Sequence, residues 1–230
     1  MLLRDDAKAA PKKAAKATTT TTAPAKPAAA VTATVKVPQI TAYQDAVETS
    51  QEVTKLSDKT EYGLPRTFLV TDQTSRPGWL NVLLPIRPNG ASGWIKASDV
   101  TIGSSEYEIK IELGAHKLTL NKLGQKVMES GTVIGKEQTP TPPGKFYITD
   151  PIDLRTKPNT GYGMYALGIS GYSNVLTSFK GGPGQLAVHG TSNPDEVGKD
   201  ISNGCVRVPN DAILQLALQA PLGTPVTIVA

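Results

Sequence analysis

Between Tyr107 and Leu113 apolar side chains alternate strictly with charged ones: Tyr107, Ile109, Ile111 and Leu113 against Glu108, Lys110 and Glu112. A period of two sends the two sets to opposite faces of an extended chain, so the stretch reads as a strand with one face buried and one wet. The 230 residues are punctuated by 21 Gly and 18 Pro, and only 5% are aromatic. Such punctuation favours short strands and turns over long helices. The pattern predicts a mainly β chain of one or two modest domains.

Downstream the same reading continues. Gly114–His116 turns the chain into "KLTLN", and His116 is expected to be a solvated turn residue. "QKVMESGTVIG" supplies a further strand after the Leu123-Gly124 turn, and "TPTPPGKFYITD" is a proline-locked loop leading into a strand over Lys145–Thr149. Residues 151–184 are rich in Gly, Pro and Tyr and lack periodicity, which predicts a long lid loop. "QLAVHG" is a short strand ending near His189, and "NDAILQLALQA" is the one short helix, capped by Asn210 or Asp211. "GTPVTIVA" closes the domain, predicted to be a mainly antiparallel β unit over residues 104–230.

Upstream, residues 39–103 read as a smaller β domain. Its clearest element is a hairpin, Gly78–Ile86 returning over Gly93–Lys96, with Asn89-Gly90 in the connecting turn. Asn-Gly between apolar segments is a strong hairpin signal, because both residues tolerate positive φ. Trp79 and Trp94 would meet across the pair and supply much of a small core. "GWLNV…NGASGWIKASDV" resembles the bacterial Src-homology-3-like repeat, which implies a small SH3-like β-barrel.

The formal net charge of +4 is unevenly spread. Residues 1–38 carry seven Lys and Arg against two Asp, while residues 39–230 carry 17 against 18. The basic balance belongs to the Ala/Lys/Thr/Pro-rich tail, whose composition predicts a disordered linker. A nucleic-acid-binding domain would concentrate that charge on a folded face, so no nucleic-acid partner is expected. "MLLRDD" lacks the apolar stretch of a signal peptide, and no run is long and apolar enough to span a bilayer. One Cys and two His can form neither an internal disulfide nor a Cys/His zinc site, so no metal or cofactor is expected.

That single cysteine is the chemically informative residue. Cys205 follows Gly204 and sits among Ser202, Asn203 and Arg207, which is not the composition of a core strand. A thiol becomes a strong nucleophile when a nearby base or cation deprotonates it. His189, at a predicted strand end, could be that base, and the glycines would let backbone amides approach the thiol as an oxyanion hole requires. From the residues alone, acyl transfer by Cys205 and His189 is plausible. The pairing predicts an imidazolium that holds the thiolate and extends thiol reactivity well below the ordinary cysteine range, about 8.5.

"HGT…ISNGCVRV", with "TPTPPGKF" and "YGMYALGISGYS", resembles the L,D-transpeptidase (YkuD) catalytic domain, over about residues 105–230. The resemblance implies a β-sandwich with a lid. It also implies that Cys205 attacks the third residue of a peptidoglycan tetrapeptide stem and expels the terminal D-Ala. His189 would be the base, oriented through the backbone carbonyl of Gly190. Backbone amides near Asn203, Gly204 and Cys205 would hold the oxyanion, with Ser202 and Arg207 shaping the loop, and Tyr162 or Tyr165 would face the acyl site from the lid. The implied partners are peptidoglycan stem peptides and, as covalent inhibitors, carbapenems, and the implied location is extracytoplasmic. A sortase would place Thr close before its Cys, and an NlpC-type endopeptidase would place Cys before His, so the order His189, Cys205, Arg207 argues against both. A non-catalytic wall-binding protein would not need the intact set.

Overall fold

A computed structural model describes residues 28–157 and 161–230. Its first strands are β1 (Ala30–Val35), β2 (Gln39–Tyr43), β3 (Glu52–Ser57), β4 (Thr67–Asp72), β5 (Trp79–Leu83), β6 (Ser92–Lys96) and β7 (Val100–Ser105). They form one sheet in the order β3-β2-β6-β5-β4-β1-β7. There follow β8 (Tyr107–Glu112), β9 (Lys117–Lys122), β10 (Gln125–Gly131), β11 (Ile134–Gly135), β12 (Gly144–Asp153), β13 (Tyr165–Tyr172), β14 (Gln185–Thr191), β15 (Asp200–Ser202), β16 (Val206–Pro209), the helix α1 (Asn210–Gln219) and β17 (Pro225–Val229). Eight of these strands make a second sheet, β10-β9-β8-β17-β12-β13-β14-β16, and β11 pairs in parallel with β15. The chain is mainly β with one α-helix among the described residues, as the alternation predicts.

The alternation in β8 is realised as read, with Ile109 and Ile111 buried while Glu108 and Lys110 face water. They join Leu118, Leu120, Phe146, Ile148, Leu167, Val188 and Val226 in the core of the second sheet, covered by Ile213 and Leu216 of α1. Successive side chains of β12 point to opposite faces, so Phe146 enters this core while Tyr147 enters the core of the first sheet beside Phe68, Val82 and Ile95. The two sheets thus meet at β12, a strand of the second sheet whose Tyr147 fills the core of the first.

Four expectations are revised. The sheet begins at Ala30 inside the segment read as linker: "AVTATV" is rich in β-branched residues and pairs with β4 and β7, which local composition did not show. Residues 1–27 of that segment lie outside the described residues. Trp79 and Trp94 are only half-buried, because alternation sends Leu80, Val82 and Ile95 to the core and the tryptophans to the other face, where Trp79 packs edge-on against Tyr43 at 5.7 Å. The expected lid over 151–184 is interrupted by β13, whose "ALGISG" is buried throughout and so shows no alternation. Finally, α1 is preceded by Pro209 with no side-chain cap, and Asn210 is already its first residue.

The hairpin turn does more than reverse the chain. Gly90 alone takes positive φ there, at +84°. The Asn89 amide donates to the Tyr172 carbonyl at 2.7 Å and accepts from the Tyr172 N–H at 2.8 Å. Arg87 donates to the carbonyls of Ser173 and Leu176 at 3.2 and 3.1 Å and covers the Tyr172 ring. The first sheet therefore grips the segment that follows β13 and runs into the site.

Candidate active site

β14 and β16 run parallel, with His189 opposite Arg207 and Val188 opposite Val206. The residue before β16, Cys205, therefore arrives beside Ala187 and close to His189. Both line a cleft of about 110 Å³, together with Tyr162, Lys180, Asn203 and Arg207. A wider groove of about 470 Å³ reaches Cys205 along Tyr162, Lys180 and Gln185, and extends to Glu61 and Tyr62 in a turn of the first sheet.

The loop carrying Cys205 is held from within and from behind. Ser202 is buried, and its hydroxyl donates to the Cys205 carbonyl at 2.6 Å and accepts the Gly204 N–H at 3.1 Å. Thr139 Oγ1 donates to the Ser202 carbonyl at 3.2 Å, and Thr141 Oγ1 donates to the Gly204 carbonyl at 2.9 Å while accepting the Gly135 N–H. Gly204 has φ +112°, a conformation open to glycine and strained for other residues, which is the local reason for Gly before Cys. Because the Gly204 amide is taken by Ser202, it is not free to hold an oxyanion; that expectation contracts to Asn203 and Cys205.

His189 is 3% exposed, and its Nδ1 donates to the Gly190 carbonyl at 2.8 Å. A carbonyl can only accept, so this bond places the proton on Nδ1 and leaves Nε2 as the base. The Tyr162 ring stands edge-on to the imidazole at 4.8 Å. Gly190 is tightly enclosed: a Cβ there would overlap Asn210 Oδ1 and come within 3.1 Å of Gly163 Cα. Asn210 does not cap its helix but accepts the Met164 N–H at 3.0 Å, pinning the segment that carries Tyr162. Gly190→Ala should accordingly lower stability by about 1–3 kcal/mol, an overpacking cost, and displace the Tyr162 segment. Thermal unfolding and Cys205 alkylation rates would check this, and an unchanged pair of values would refute it.

Burial dominates the electrostatics. It pushes the His189 pKa down to about 4, assisted by the Arg207 and Lys180 charges and opposed by hydrogen bonding to the backbone of Gly190 and Tyr162. Burial also raises the Cys205 thiol above its ordinary range, against the backbone at Ala187 and the Arg207 and Lys180 cations, which pull it down. Burial thus favours the neutral form of each group. This works against the imidazolium–thiolate pair that the sequence predicts, since burial disfavours both charges.

Cys205, His189, Gly190, Ser202, Asn203, Gly204, Arg207 and Tyr162 come together at the cleft or directly behind it. Arg207 donates to Glu196 at 2.8 Å, so its charge is largely spent on a partner the sequence reading did not single out. Tyr165 is not brought to the site. It sits at the start of β13, packed on the core with Arg155 over its ring. His116 is not merely solvated: it adopts φ +45°, and its Nε2 meets Asp200 at the start of β15. Thr139, Thr141, Lys180, Gln185 and Asn210 were missed. Only "TPTPPGKF" signalled any of them, and it carried no hint of bonds to a loop more than 60 residues away.

A family model for the L,D-transpeptidase catalytic domain, YkuD, matches residues 106–228. The putative L,D-transpeptidase YkuD of Bacillus subtilis (strain 168) is 37% identical over 123 residues, covering 53% of this chain and 65% of that protein. Its namesake from Bacillus licheniformis is 32% identical over 122 residues with the same coverages. The chain thus spans less than two thirds of the length of these curated relatives. A solved L,D-transpeptidase from Mycobacterium smegmatis is 18% identical, covers 70% of this chain and 80% of that one, and superposes with a TM-score of 0.45.

Proposed function

The chain belongs to the L,D-transpeptidase (YkuD) catalytic-domain family, and on that premise we propose that it cross-links peptidoglycan through a Cys205 thioester. The observation that carries this reading is the convergence of Cys205 and a tautomer-fixed His189 on one cleft. As Cys205 Sγ attacks the carbonyl of the third residue of a tetrapeptide stem, His189 Nε2 takes the thiol proton. The oxyanion is held by the amides of Asn203 and Cys205. Collapse breaks the amide bond, the proton passes from His189 to the leaving amine, and D-Ala departs. An acceptor amine then attacks the thioester, gives its proton to His189, and releases the thiol with formation of a 3→3 cross-link.

Neutral resting groups suit this sequence, since proton transfer accompanies attack and no buried charge must be maintained beforehand. Carbapenems would acylate the same thiol, their strained lactam carbonyl standing in for that of the peptide. The substrate places the reaction outside the cytoplasm. We read the first sheet as an SH3-like module, on its Gly78–Lys96 hairpin. In the test, purified protein incubated with a disaccharide-tetrapeptide should release D-Ala and, with an amine acceptor, give the cross-linked product by mass spectrometry. Release from a pentapeptide but never from a tetrapeptide would overturn the donor assignment.

A further inference from the structure

Phe179 and Gly182 exchange both backbone hydrogen bonds, each 2.9 Å, across a two-residue turn made of Lys180 and Gly181. Both turn residues have positive φ, +47° and +84°, the signature of a type I′ turn, in which Asn or Gly is the usual first residue. A lysine in that place is unfavourable for the backbone, so what it contributes must come from its side chain. Lys180 Nζ lies 5.0 Å from the Tyr162 ring centroid and 5.8 Å from that of Phe179, and Lys180 lines both the small cleft and the wide groove at Cys205.

Among the described residues Lys180 makes no ion pair, whereas the other cation of the small cleft, Arg207, is bound to Glu196. Among the described residues, the small cleft around the nucleophile therefore presents one ammonium without an ion-pair partner, on a two-residue turn, resting against the aromatic ring that faces the catalytic imidazole.

We propose that Lys180 is a specificity-determining residue that binds the C-terminal carboxylate of the donor stem. This rests on the donor assignment above. In a tetrapeptide the carboxylate belongs to the leaving residue, only three bonds beyond the attacked carbonyl carbon, so a cation lining the same cleft as Cys205 is within its reach. One more residue at the C-terminus would carry the carboxylate about 3.5 Å further along the chain, away from the place where the Lys180 ammonium rests against the Tyr162 and Phe179 rings. Lys180 would thereby favour tetrapeptide over pentapeptide donors by charge position, with no steric block.

The experiment pairs a change of charge on the protein with one on the substrate. D-Ala release from a disaccharide-tetrapeptide is compared with release of D-alaninamide from its C-terminal carboxamide, for wild type, Lys180→Met and Lys180→Arg. Wild type should prefer the acid by about 30-fold or more in kcat/KM, mainly through KM. Lys180→Met should lose a similar factor on the acid and show no preference for acid over amide, and Lys180→Arg should restore most of it. A general effect on thiol reactivity or folding would lower acid and amide alike, leaving the preference intact, and that result overturns the proposal. So does a wild type indifferent to the amide, while D-Ala release still upholds the donor assignment. Absence of release from either substrate, with Cys205 still alkylated by iodoacetamide, overturns the donor assignment and this inference with it.

Discussion

Cys205→Ala should eliminate D-Ala release, a loss of about 10³-fold or more, and should form no adduct with a carbapenem. No neighbouring group can take over. The hydroxyl of Ser202 is buried and committed at both ends, donating to the Cys205 carbonyl and accepting the Gly204 amide, and the Tyr162 phenol is a far weaker nucleophile than a thiol, its pKa raised by burial. The chain has a single cysteine, so intact-mass spectrometry reads the outcome without mapping. Wild type should gain the mass of one carbapenem, and Cys205→Ala should gain none. The variant should fold, since Cys205 is only half-buried and its loop is held through the backbone by Ser202, Thr139 and Thr141. An adduct on Cys205→Ala, or none on wild type, would remove the thioester from the mechanism.

What could be read beforehand divides along a physical line. β8 was legible because one face is wet, so its residues had to alternate. β13 was not, because a strand buried on both faces is written in small and apolar residues and resembles a glycine-rich loop. The Gly78–Lys96 hairpin was visible in its turn residues, but which face of it is core was decided by Phe68 and Tyr147, the latter arriving from the other sheet. The chemistry followed the same rule. His189 and Gly190 on β14 and the Ser202–Arg207 run leading into the adjacent β16 lie close in sequence, and their residue types alone pointed to acyl transfer. Lys180, Thr141 and Asn210 act through space on residues 18 to 63 positions away, and nothing local marks them. The protonation state was also beyond the sequence, because it is set by burial.

That burial makes His189 the residue whose replacement should change both rate and acid stability. With no base at this position, His189→Gln should lower kcat by about 10²–10⁴-fold. Wild-type turnover should keep its acid limb near pH 4, the value to which burial lowers the imidazole, in place of the usual region near 6.5. The stability consequence has a definite sign. Between pH 6.5 and 4 the unfolded chain binds a proton on this imidazole that the folded chain refuses, so stability falls as the pH is lowered through that window. The full shift corresponds to about 3 kcal/mol, present above pH 6.5 and lost by pH 4. Surface carboxylates such as Asp72 and Asp153, whose pKa values are lowered by local hydrogen bonds, lose their contribution only below their ordinary range near 4 and remain in the variant. Urea unfolding at pH 7, 5.5 and 4 therefore isolates His189 by difference. Wild type should lose about 3 kcal/mol more than His189→Gln over that range, and equal losses in the two proteins would mean that the imidazole is not held neutral by the fold.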